Sequence, residues 1–150
     1  MDYMTAVAEL KSTRTNMSAR KNTLLLVDDE SAITLLFEFE LSRIGYYVLT
    51  ASNAQEAKRI AKEFQSPIDV LITDWHMPGM TGDQLACDLL VQRPTLKVVL
   101  MSGYPEAATV CQAFHKDQLA FFRKPFSVDE LNGAIRRLLG LSSEPDRQVA

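Results

Sequence analysis

A doubly wound α/β sandwich, with five parallel strands in three layers, is the fold this sequence predicts. Five short runs of apolar and β-branched residues alternate with five segments of helical length. The runs lack the polar alternation of a half-exposed sheet, as strands covered on both faces do. Right-handed crossovers between such units then place helices on both sides of a parallel sheet.

The first run, TLLLVDDE from Thr23, has strand length and ends in acids. A helix is predicted from Ser31 to Ile44, with Gly45 as its stop, followed by the strand YYVLTA. Residues 53–64 read as a polar amphipathic helix with Asn53 as N-cap. The strand DVLITD, the loop WHMPGMTG and a helix from Asp83 to Gln92, closed by Pro94, come next. The strand LKVVLMS leads through GYP to a helix from Glu106 to about His115. The strand LAFFRK ends at Pro125, and the last helix runs from Ser127 to Leu139, with Gly140 behind it. Ser127 and Glu130 have capping-box spacing. On the first helix, Ile33, Leu36, Phe37, Leu41 and Ile44 are expected to form the core face, with Glu40 intruding on it. Leu35 and Phe39 point away from that face.

Residues 23–140 form the expected domain, between flexible tails at 1–22 and 141–150. Apolar residues make up 47% and charged residues 23% of the chain, the balance of a globular domain. The net charge is −3, and four basic against two acidic residues in the first 22 leave about −5 on the remainder. Direct nucleic-acid binding is therefore not expected. No apolar run reaches the length of a membrane span, and no secretory signal opens the chain. Cys87 and Cys111 lack CxxC spacing and read as small apolar side chains in a reducing cytosol, so a cytoplasmic location is expected. His115 reads as a surface or helix-end histidine, and Met77 and Met80 as loop packing.

Ligands of such sheets sit beyond the carboxyl ends of the strands. There stand Asp28 and Asp29 after strand one, Asp74 after strand three, Ser102 after strand four and Lys124 after strand five. Strand two, expected at an edge, contributes nothing ionisable. Each residue alone is an ordinary turn or surface residue; the set is different, because the fold brings all five to one rim. Two carboxylates at ~4 Å repel by about 4 kcal/mol at an effective dielectric of ~20. Such a cluster must take up protons or bind a cation, and an all-oxygen ligand set favours Mg²⁺ over Zn²⁺. An ammonium and a hydroxyl facing it suit a phosphoryl group, with Asp74 as the nucleophile. No GxxxxGK[ST] or GxGxxG follows strand one, so nucleotide cradling is not supported.

The pieces VDDE (27–30), DWHMPGMTG (74–82), MSGYP (101–105) and FFRKPF (121–126) resemble, in order and spacing, the receiver domain of bacterial two-component response regulators. The similarity spans roughly residues 22–140. It implies a flavodoxin-like strand order, 2-1-3-4-5, and Asp74 as phosphoacceptor. It further implies Mg²⁺ held by Asp29 directly, by Asp28 mainly through water, and by Asp74 and the backbone carbonyl of His76. Lys124 would pair with phosphoryl oxygens, its bond to Pro125 being cis. Gly103 would keep the approach clear, while Ser102 and Phe121 would form the switch that remodels the face of the fourth helix, fifth strand and fifth helix. The implied partners are a sensor histidine kinase or a histidine phosphotransfer protein, docking on Leu35 and Phe39 of the first helix, and a downstream protein target.

His76 departs from the residue types usual at its position, and with Tyr104 it is expected to set the lifetime of the aspartyl phosphate. Only ten residues follow Gly140, too few for a DNA-binding module. The expected output is a protein contact, not enzyme catalysis beyond the domain's own phosphorylation and dephosphorylation. A phosphate carrier or sink in a relay, or the receiver piece of a hybrid kinase, is the alternative. A phosphohydrolase of the haloacid-dehalogenase type would want D-x-D where His76 stands. A flavodoxin would want a hydroxyl-rich loop where Asp28 and Asp29 stand.

Overall fold

The computed structural model describes residues 21–103, 115 and 117–141. Five strands, β1 (Thr23–Val27), β2 (Tyr47–Ala51), β3 (Val70–Asp74), β4 (Lys97–Ser102) and β5 (Leu119–Arg123), form one parallel sheet in the order β2-β1-β3-β4-β5. The expected topology and the edge position of β2 are both observed. The described helices are α1 (Ser31–Ile44), α2 (Ala54–Glu63), α3 (Gly82–Gln92) and α4 (Val128–Leu138). The helix expected from Glu106 to His115 lies outside the described residues, apart from exposed His115, as does Cys111.

The strand sequences explain the layers. β1 and β3 are buried at every position, so their side chains feed two cores in alternation. Leu25, Val27, Leu71, Val98 and Leu100 pack with α2 and α3 on one face. Leu24, Leu26, Val70, Ile72, Val99 and Met101 pack with α1 and α4 on the other. Met77 and Met80, expected from the sequence to pack within their loop, pack into the first core.

The helix ends follow local chemistry. Asn53 Oδ1 accepts the Glu56 N–H at 2.8 Å, and Ser127 Oγ accepts the Glu130 N–H at 3.1 Å. Gly45 closes α1 at φ 122°, a conformation that side chains with a Cβ rarely adopt. Arg93 closes α2 from a distance, donating to the carbonyls of Ala61, Phe64 and Ser66 at 2.7–3.0 Å.

The core face of α1 is narrower than expected. Phe37 and Leu41 are buried and Ile33 partly so, but Leu36 is 56% and Ile44 43% exposed. A 3.6-residue period keeps only Ile33, Phe37 and Leu41 in one tight row; Leu36 rotates off it, and Ile44 sits in the last turn. Glu40 is partly exposed, 3.9 Å from Arg43, which relieves its place beside the core. Phe37 stacks on Phe126, and Phe126 meets Phe122 at a tilt, fastening α1 to the segment after β5. Cys87 is exposed on α3.

Candidate functional site

The parallel sheet ends all its strands at one rim, and there the charged residues meet. Asp28 follows β1 immediately. Its main-chain N–H bonds to the Ala51 carbonyl, continuing the ladder one step past the strand. Asp74 is the last residue of β3, held through the next peptide by the Trp75 N–H bonding to the Met101 carbonyl at 2.8 Å. Lys124 leaves β5 with its N–H on the Ser102 carbonyl at 2.8 Å, and its bond to Pro125 is cis.

Asp28 and Asp74 are buried, 1% and 7% exposed, while Asp29 is exposed. One carboxylate oxygen from each of the three lies within 4.8 Å of the others. The Lys124 ammonium stands 3.2 Å from Asp74 Oδ2 and 3.6 Å from Asp28 Oδ2. Asp28 Oδ1 accepts the Glu30 N–H at 2.9 Å, but its buried Oδ2 accepts no hydrogen bond from the described residues.

Burial pushes the Asp28 carboxyl above its ordinary range, and the nearby Asp74 and Glu30 charges push the same way. The Glu30 N–H and Lys124 offset this only in part. For Lys124 burial acts downward, but Asp28 and Asp74 together outweigh it and raise the ammonium above its usual range. Among the described residues the rim is thus over-supplied with negative oxygen: one cation serves three carboxylates, and a buried oxygen is left without a donor. A hard divalent ion suits that donor set, so the cluster could hold a metal.

Around the cluster, Ser102 is fully buried at the end of β4, and Gly103 is exposed beside it, with open space where a side chain would start. His76 is exposed in the loop after β3, its ring 6.5 Å from that of buried Trp75. Phe121 is partly buried against the α2 and α3 core. Leu35 and Phe39 are 67% and 60% exposed on the outer side of α1, where the Arg43 guanidinium lies 5.7 Å from the Phe39 ring centre. Tyr104 lies outside the described residues.

Two residues around Asp74 carried no signal in the sequence reading. The Thr73 hydroxyl donates to the Asp74 carbonyl at 3.0 Å, and Gly82 lies against the same carbonyl. A glycine opening a helix eight residues after the acid was the available clue.

Residues 24–136 match the family model described as the response regulator receiver domain. The chain is 30% identical over 138 residues to the sensor kinase CckA of Brucella abortus (strain 2308), covering 92% of this chain but 15% of the kinase. It is 29% identical over 120 residues to sporulation initiation phosphotransferase F of Bacillus subtilis (strain 168), covering 80% of this chain and 95% of that one. Among solved structures, a response regulator receiver domain protein from Clostridium thermocellum is 32% identical with a TM-score of 0.71, covering 79% and 94% of the two chains. The response regulator TrrA of Thermotoga maritima, solved with Mg²⁺ and BeF, is 30% identical with a TM-score of 0.66, covering 78% and 98%. The match over most of the chain and the shared strand order lead to one conclusion: this chain belongs to the response regulator receiver domain family.

Proposed function

We propose that the domain takes a phosphoryl group onto Asp74. The observation that carries this reading is the Lys124 ammonium lying between two buried carboxylates, 3.2 Å from Asp74 Oδ2 and 3.6 Å from Asp28 Oδ2. An Asp74 oxygen attacks phosphorus, forming a new O–P bond. The bond from phosphorus to the donor, a phosphohistidine nitrogen or an acetyl phosphate oxygen, breaks and its electron pair leaves with the donor; histidine leaves as a neutral or protonated imidazole, with any proton drawn from solvent, and acetate leaves as the anion. Lys124 neutralises the added phosphoryl oxygens, and the Ser102 hydroxyl donates to one of them.

Asp28, Asp29, Asp74 and the His76 backbone carbonyl would hold Mg²⁺, which when bound offsets the negative charge of the cluster and the incoming group. The unbonded Asp28 Oδ2 and the all-oxygen donor set support this, as does the Mg²⁺ in the TrrA structure. The test is phosphorylation by acetyl phosphate, followed by intact mass with Mg²⁺ and with excess chelator. A phosphoryl adduct that needs Mg²⁺ supports the reading, and equal labelling under chelation refutes it.

The consequence of phosphorylation is a change of surface. Ser102 moves toward the phosphoryl group, Phe121 turns into the space behind it, and the face around β5 and α4 is remodelled for a downstream protein. A single Phe121 rotamer with and without beryllofluoride would contradict this. The His76 side chain, with Tyr104, sets how long the aspartyl phosphate survives; an unchanged dephosphorylation rate in His76→Ala would remove His76 from that role. Leu35 and Phe39 contact the donor, a histidine kinase or phosphotransfer protein, and exposed Leu36 widens that apolar patch.

The likeness to a sensor kinase and to a sporulation phosphotransferase favours a second reading, a carrier within a phosphorelay. Rapid back-transfer from Asp74 to a phosphotransfer histidine distinguishes it from an output switch. No helix among the described residues is long and apolar enough to cross a membrane; we place the domain in the cytoplasm, with residues 1–22 and 141–150 as its tails.

A further inference from the structure

We propose that Thr73 and Gly82 are positioning residues for the nucleophile, gripping the Asp74 main chain so that its carboxylate meets phosphorus in line. The inference rests on the phosphoacceptor reading of Asp74. Three observations carry it. The side chain of Thr73 is fully buried, and its hydroxyl donates to the Asp74 carbonyl at 3.0 Å. A Cβ on Gly82 would lie 2.3 Å from that carbonyl oxygen and 3.0 Å from its carbon, so no side chain fits without moving the strand end. The Gly82 N–H also donates to the Trp75 carbonyl at 2.8 Å, tying the helix start to the turn that the strand enters.

The peptide after Asp74 is therefore fixed from both ends. Its N–H is bonded to β4, and its carbonyl is enclosed by Thr73 and Gly82. A shift of that peptide would displace the Asp74 Cα, and with it the carboxylate, along with the His76 carbonyl two residues on. Phosphoryl transfer leaves the protein little chemistry beyond positioning, so a small misplacement of the attacking oxygen slows it strongly.

The test compares Thr73→Val, which keeps the branched shape and loses the hydroxyl, with Thr73→Ser, which keeps the hydroxyl and loses a buried methyl. The rate of phosphorylation by acetyl phosphate with Mg²⁺ and the stability in urea are measured on each. The expected result is a fall of about tenfold or more for Thr73→Val, with Thr73→Ser within about twofold of wild type although its packing is poorer. Gly82→Ala is expected to slow the reaction by at least as much. Should Thr73→Ser slow as much as Thr73→Val, or neither slow at all, the hydroxyl grip is wrong and the phosphoacceptor reading stands. A wild-type chain that takes no phosphoryl group would overturn both.

Discussion

Replacing Asp28 by Asn should stabilise the metal-free protein while abolishing its response to Mg²⁺. With an effective dielectric of ~20, the attraction between Lys124 Nζ and Asp28 Oδ2 at 3.6 Å is about 4.6 kcal/mol. The opposing repulsion from Asp74, whose oxygen lies within 4.8 Å, is at least about 3.5 kcal/mol, and Asp29 adds a smaller, solvent-screened amount. The charge interactions therefore nearly cancel. What remains is a buried carboxylate with one oxygen accepting no hydrogen bond, a cost of about 1–3 kcal/mol. The direction agrees with the raised Asp28 pKa: the folded state prefers the neutral form, so above that raised value the ionised group is a load on the fold. In urea at pH 7.5 without metal, Asp28→Asn should be more stable than wild type by about 1–3 kcal/mol. Mg²⁺ at a hundred times its dissociation constant should add about 2.7 kcal/mol to the wild type and nothing to the variant. A variant clearly less stable than metal-free wild type, or one still stabilised by Mg²⁺, would show that the cluster is not built around a missing cation.

Lys124→Met should leave Asp28 and Asp74 facing each other without their cation, so phosphorylation by acetyl phosphate should fall by at least about a hundredfold while circular dichroism stays native; retention of wild-type rate would remove Lys124 from the site. Tyr46→Phe should cost about 1–3 kcal/mol, because buried Asn132 loses the phenol that donates to its Oδ1. Burial raises the Tyr46 pKa, so stability present below about pH 10 declines as pH rises toward the higher folded value, and Tyr46→Phe should lack that component in alkaline urea titrations. Leu35→Glu combined with Phe39→Glu should slow transfer from a histidine-phosphorylated protein donor by at least about tenfold and leave acetyl phosphate labelling unchanged; equal effects on both donors would place the damage in the fold rather than in docking.

How much was legible in the sequence depended on how local each cause was. The strands were readable because β1 and β3 carry unbroken apolar runs, LLLV and VLI, as parallel strands buried on both faces demand. Helix caps at Asn53 and Ser127 were readable because the bond spans three residues. The rim followed once strands were placed, since a parallel sheet has one carboxyl edge and Asp28, Asp74 and Lys124 all end strands there. Leu36 was misplaced because three apolar residues, Ile33, Leu35 and Leu36, crowd one turn around Thr34 and leave the wheel ambiguous until the opposing sheet selects a row. Thr73, the Arg93 clasp and the Tyr46–Asn132 bond were illegible, because each depends on a partner brought close by the tertiary fold, and Gly82 offered only its spacing from Asp74.

The oxygen that receives phosphorus is the decisive atom. Labelling with acetyl phosphate and Mg²⁺, reduction of the acyl phosphate with borohydride and sequencing of the resulting peptides by mass spectrometry would locate it. The expected result is homoserine at position 74 alone, and none in Asp74→Asn. Conversion at position 28 or 29 instead, or no conversion in a fully folded wild type, would contradict it.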